Sequence, residues 1–149
     1  MDPQALGEEL NRLLATETRG LARHLDQATP YLTADTLPVW HEVRRMLGAN
    51  ADHAARISGL LASLSLPERP FPFDPAVASF HYIDLACLLP VLINEKRAQM
   101  AAYQRAIKHC GTDAKAADVS VALQRLLDDN QTQLDRLECI TAGLQAAPH

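Results

Sequence analysis

Aromatic side chains make up only 5% of this chain, and glycine occurs six times in 149 residues. A β-sandwich or barrel draws its strands and turns from those residue types, so their scarcity argues against an all-β fold. There is no block of lysine and arginine, and the formal net charge is −4. Nucleic acid is therefore not an expected partner, and the Arg44-Arg45 pair reads as part of a solvated helix face. Long apolar runs are missing too. The longest, residues 85–93, is too short to span a bilayer. The first ten residues, MDPQALGEEL, lack the basic and apolar segments of a signal peptide. No membrane association is expected, and the reading is of a cytoplasmic protein. The three cysteines, Cys87, Cys110 and Cys139, are odd in number and show no CxxC spacing, so they read as reduced thiols. No nucleophile–base arrangement or phosphate loop is present, and no catalytic residue is assigned.

What is there is an ordinary globular composition, 48% hydrophobic and 21% charged, in a length that suits one domain over residues 1–149. Its clearest pattern lies in residues 39–64. Val39, Val43, Met46, Asn50, His53, Ile57, Leu60 and Leu64 recur at alternating steps of four and three, the seam of a helix packed in a bundle. Asn50 and His53 interrupt that seam. Left unpaired in a core, an amide or imidazole costs about 1–3 kcal/mol, so something inside the bundle must face them.

Taken in order, the chain predicts four helices. The first spans residues 3–28, with Asp2 as cap and Pro3 in the first turn. Its seam is Leu6, Leu10, Leu13, Glu17, Gly20 and His24, which puts Glu17 where a core leucine is expected. A break at Thr29-Pro30 leads to a second helix, capped by Asp35 or Thr36 and ending near residue 65. Four prolines in residues 66–75 exclude a helix there and suggest an extended strap that crosses the bundle. The third helix starts between residues 78 and 82 and ends at Gly111. Its seam is Leu85, Leu88, Leu92, Glu95, Gln99, Ala102 and Ala106, and Pro90 is expected to kink or divide it. A fourth helix runs from about residue 119 to residues 142–144, with the seam Val119, Leu123, Leu126, Asn130, Gln133, Leu137, Ile140 and Leu144. The fold class is all-α: hairpin one at 3–65, crossover at 66–77, hairpin two at 78–144.

The second and fourth seams superpose without a gap, each broken once by a polar pair three residues apart. The first and third helices each contribute one seam glutamate, Glu17 and Glu95. Two helix hairpins of one design therefore follow one another.

This arrangement resembles the ferritin-like four-helix bundles, bacterioferritins in particular. The residues that carry the resemblance are Leu10-Asn11-Arg12-Leu13-Leu14-Ala15-Thr16-Glu17, Asn50-Ala51-Asp52-His53-Ala54, Leu64-Ser65-Leu66-Pro67, and the fourth-helix stretches Leu127-Asp128-Asp129-Asn130 and Leu134-Asp135-Arg136-Leu137-Glu138. In that family a dimetal centre takes a Glu from each of two helices and a Glu-x-x-His from each of the other two. The resemblance implies metal-site positions at Glu17, Asn50, His53, Glu95, Asn130 and Gln133. Of these, Glu17, His53 and Glu95 keep the family's ligand types. Asn50 and Asn130 stand where the bridging glutamates belong, and Gln133 replaces the second histidine. Ala51 stands where haem-binding members have methionine, so no haem is expected. Two iron ions bring at least about four positive charges, which the two remaining carboxylates cannot balance in a low-dielectric core, and amides do not bridge two metals. Ordinary di-iron ferroxidase activity is not expected.

Three readings stay open on sequence alone. At most a single divalent ion (iron, manganese or zinc) binds Glu17, His53 and Glu95, with Asn50 or Gln133 adding a neutral oxygen and with redox activity if the metal has open positions. Alternatively, no metal binds and the six residues form a buried hydrogen-bond network. Thirdly, the bundle is an interaction or assembly module. The resemblance implies a homo-oligomer, a dimer or larger, for which Tyr31, Trp40, Phe71, Phe73 and Tyr82 are candidate contacts. His24 shares the Glu17 seam. Asp128 and Asp129 lie about 100–200° off theirs and read as solvent-facing, and Tyr103 reads as a core aromatic.

Overall fold

A computed structural model describes residues 2–20, 24–25, 29–69 and 84–146. The described residues form an all-helical bundle. Its long helices are α1 (Pro3–Arg19), α2 (Leu37–Ser63), α3 (Leu85–Cys110) and α4 (Ala117–Ala146), with a 3-10 turn at Ala114–Ala116 before α4. No strand occurs among them beyond a single bridge between Tyr31 and Asp84. No helix among the described residues is long and apolar enough to cross a membrane.

Local chemistry sets the helix ends. The Asp2 carboxylate accepts from the backbone N–H groups of Gln4 and Ala5 at 3.1 and 3.2 Å, and Pro3 occupies a first-turn position that needs no donor. Helix α1 stops at Arg19, earlier than the pattern predicts, because Gly20 is extended. His24 and Leu25 are helical again, and the rest of the predicted extension lies outside the described residues. Thr36 is the N-cap of α2, but its side chain makes no cap bond. Its hydroxyl instead accepts from the Thr33 N–H at 2.8 Å, closing the turn before the helix. Asp84 caps α3 by accepting from the Ala86 N–H at 2.9 Å, so the described helix begins at Leu85; the predicted start at 78–82 lies outside the described residues. Pro90 is inside α3 and does not divide it. The helix ends at Gly111, whose φ of 58° favours a residue without a side chain.

Helix α1 packs on α2 and α3, and α4 packs on the same two. The pairings give the chain directions. Along α1 and α2, Asn11 reaches the Pro67 carbonyl while Glu17 meets His53. Along α1 and α3, Glu9 meets Arg105 while Gly20 faces Glu95. Both pairs of helices run in opposite senses.

The apolar core divides into two clusters. One gathers Leu6, Leu10, Leu13, Ile57, Leu61, Tyr103, Leu123 and Leu126. The other gathers Leu25, Val39, Val43, Met46, Leu85, Leu88, Leu92 and Leu137. Each fully buried leucine or isoleucine stabilises the fold by about 1.5–3 kcal/mol. Between the clusters lies a layer of buried polar residues: Glu17, Asn50, His53, Lys96, Gln99, Asn130 and Gln133. Trp40 is buried in the second cluster, so it packs within the chain and is not an open contact surface. Tyr31 is exposed, whereas Phe71, Phe73 and Tyr82 lie outside the described residues.

Candidate functional site

The polar layer is built from one face of each helix. Glu17 on α1 is the most deeply buried carboxylate in it, 1% exposed. The Tyr103 hydroxyl on α3 donates to Glu17 Oε1 at 2.9 Å. The Asn50 amide nitrogen on α2 faces Glu17 Oε2 at 3.1 Å and the Met46 carbonyl at 3.0 Å, the orientation that leaves neither end of the amide opposed. His53 Nδ1 lies 3.4 Å from Glu17 Oε1, and its Nε2 lies 3.5 Å from Asp129 Oδ2 on α4. The imidazole thus lies between a buried carboxylate and a half-exposed one, and its buried Nδ1 makes no hydrogen bond. Burial, reinforced by the Glu17 charge and hydrogen bond, pushes the Tyr103 phenol well above its usual range.

Lys96 on α3 fills the other half of the layer. Its ammonium donates to Asn130 Oδ1 at 2.7 Å, Gln133 Oε1 at 2.7 Å and Gln99 Oε1 at 3.1 Å. An ammonium has three N–H bonds, and each finds a carboxamide oxygen. Asn130 is held for this role because its own nitrogen donates to the Leu126 carbonyl at 2.8 Å, leaving the oxygen towards Lys96. Burial lowers the Lys96 pKa, while the charges of Glu17 and Glu95 act in the opposite direction.

The six predicted site residues therefore split. Glu17, Asn50 and His53 come together. Asn130 and Gln133 converge on Lys96, which the sequence reading did not single out. Glu95 is only partly buried, and its Oε1 lies 2.7 Å from where a side chain on Gly20 would begin. Asp129, read as solvent-facing, is 56% exposed at its side chain yet reaches the outer nitrogen of His53. A signal for Lys96 does exist. Leu85, Leu89, Leu92, Lys96, Gln99, Tyr103, Ala106 and Cys110 follow steps of four and three, and all are buried. That stripe shares Leu85, Leu92, Gln99 and Ala106 with the one that selects Glu95 and lies one residue beyond it only at the alternate positions.

Comparison with protein-family models, curated proteins and solved structures finds no match.

The chemistry of the layer is legible from its own donors and acceptors. The dimetal centre that the resemblance implies does not fit these residues. The Glu17 oxygens already accept from Tyr103 and Asn50, and the Asn130 and Gln133 oxygens already accept from an ammonium. Among the described residues, no group of three His, Cys, Asp or Glu side chains is placed to hold a metal ion. A cleft of about 280 Å³ between α2 and α4 leads inward to His53 and Gln133, with Glu42, Asp129 and Arg136 at its walls. The cysteines stand apart from the layer: Cys87 and Cys139 are exposed, and burial pushes the Cys110 thiol up, away from the reactive thiolate.

Proposed function

We propose that this chain is a ferritin-like bundle, two antiparallel hairpins joined by a long crossover, whose centre works without metal. In this reading it serves as a structural or protein-interaction module that self-associates. The observation that carries it is the Lys96 ammonium on the oxygens of Gln99, Asn130 and Gln133. A buried cation on those oxygens fills the position a metal would take, and it adds the charge a metal would otherwise bring. Unpaired cysteines support a reducing, cytoplasmic setting. Tyr31 and Leu37, 61% and 43% exposed on either side of the turn before α2, are the surface that supports self-association.

The test is metal analysis of protein purified without chelator or affinity tag, then reloaded with Fe(II), Mn(II) or Zn(II), with sedimentation of the same sample. The expected result is no stoichiometric metal, no Fe(II) oxidation and a species larger than one chain. One ion per chain would overturn the metal-free reading. It would favour the second reading, a single divalent ion at His53, which rests on the 3.4 Å approach of Glu17 and on the cleft that leads to the imidazole.

A further inference from the structure

We infer that Lys96 is a tethered cation seated in a cation site of the bundle, and that this site takes a free primary alkylammonium once the lysine side chain is removed. The inference rests on the metal-free reading and concerns the same polar layer. Three observations lead to it. First, the acceptors are arranged for an ammonium: three carboxamide oxygens, from two helices, meet one nitrogen at 2.7–3.1 Å. Neutral amides match three N–H donors in number without demanding the multiple charge of a metal ion. Second, one of the acceptors is fixed independently of the lysine. Asn130 is pinned by the Leu126 carbonyl, on the same helix as Gln133. Third, the charge has its counterpart nearby. Glu17 and Glu95 both act on the Lys96 ammonium, and Glu17 is buried. Removing the cation leaves a buried carboxylate with less compensation and three oxygens without donors.

The route in is the cleft between α2 and α4, whose wall includes Gln133, the side chain that meets the ammonium on its far side. A small amine entering there meets Gln133, whose Oε1 is one of the three oxygens on the ammonium.

The experiment is thermal unfolding of Lys96→Ala with and without propylammonium, which replaces the atoms removed, and with propanol as a neutral probe of similar shape. The expected result is a melting temperature several degrees below the natural chain, restored in a saturable manner by propylammonium and not by propanol. The natural chain should not respond to either. Equal rescue by the two probes would mean simple filling of a hole, and no rescue by either would mean no cation site; each overturns the inference. Should Lys96→Ala fail to fold, Lys96→Met keeps the shape without the charge. It must melt below the natural chain, and equal or greater stability would sink the inference. Wild-type metal content tests the functional reading alone, so the two can fail separately.

Discussion

Tyr103 is the residue at which burial and charge act most directly on each other. Its hydroxyl donates to a carboxylate that is 1% exposed, a bond of the charge-assisted class. Tyr103→Phe should lower stability by about 1.5–3 kcal/mol in denaturant titrations near neutral pH. The pH dependence has a definite sign. A phenol held above its ordinary pKa of 10.0 stays protonated in the folded chain while the unfolded chain loses its proton, so this contribution falls as pH rises past that value. Lys96, with a lowered pKa, acts oppositely: between its folded value and 10.5, stability rises with pH. The difference between the natural chain and Tyr103→Phe isolates the tyrosine, and it should narrow above pH 10.0; a constant difference would refute the assignment. At this scale the sequence is readable only in part. Glu17, Asn50 and His53 are legible because each breaks an apolar seam; α2 has a second buried stripe through Trp40, Leu47, Ala54 and Leu61, but it offers no polar rival to His53. Lys96 is not, because α3 offers two overlapping stripes and Glu95 resembles a familiar ligand. Which stripe faces inward depends on how the neighbouring helices meet it.

Elements end where neighbours touch them. The apolar pattern of α1 continues as far as Leu25, which is buried, yet the helix stops at Gly20. A side chain there would stand 2.7 Å from Glu95 Oε1 and 2.8 Å from the Thr16 carbonyl. Periodicity reports which face is buried and does not report such a close approach from α3. The segment after α2 is non-helical over its described part, residues 66–69. Asn11 on α1 grips it. The Asn11 amide donates to the Pro67 carbonyl at 3.0 Å, and its oxygen accepts from the Arg69 N–H at 2.7 Å. Asn11→Ala should cost about 1–3 kcal/mol and release the Arg69 amide to rapid hydrogen exchange. Protection retained at Arg69 would show that another contact holds the strap.

The whole molecule places two apolar clusters on either side of one charged layer, and it joins its helices through connections of very different length. The all-helical class and the end of α3 at Gly111 follow from seam spacing, because long periodic segments bounded by proline and glycine leave few alternatives. The split of the polar layer into a carboxylate half and an ammonium half does not, since it needs all four helices in place. The pair with the most extensive packing, α3 and α4, is also the pair with the short connection that starts at Gly111. Closing a short connection costs little chain entropy, whereas α2 and α3 are separated by residues 64–84. Time therefore enters the fold through one turn. The α3–α4 pair should assemble first and the other two helices dock onto it. Gly111→Ala, strained at a φ of 58°, should destabilise by about 1 kcal/mol and do so mainly by slowing refolding in stopped-flow measurements, with little change in the unfolding rate. If the unfolding limb moves instead, this turn closes late, and the order of assembly runs the other way.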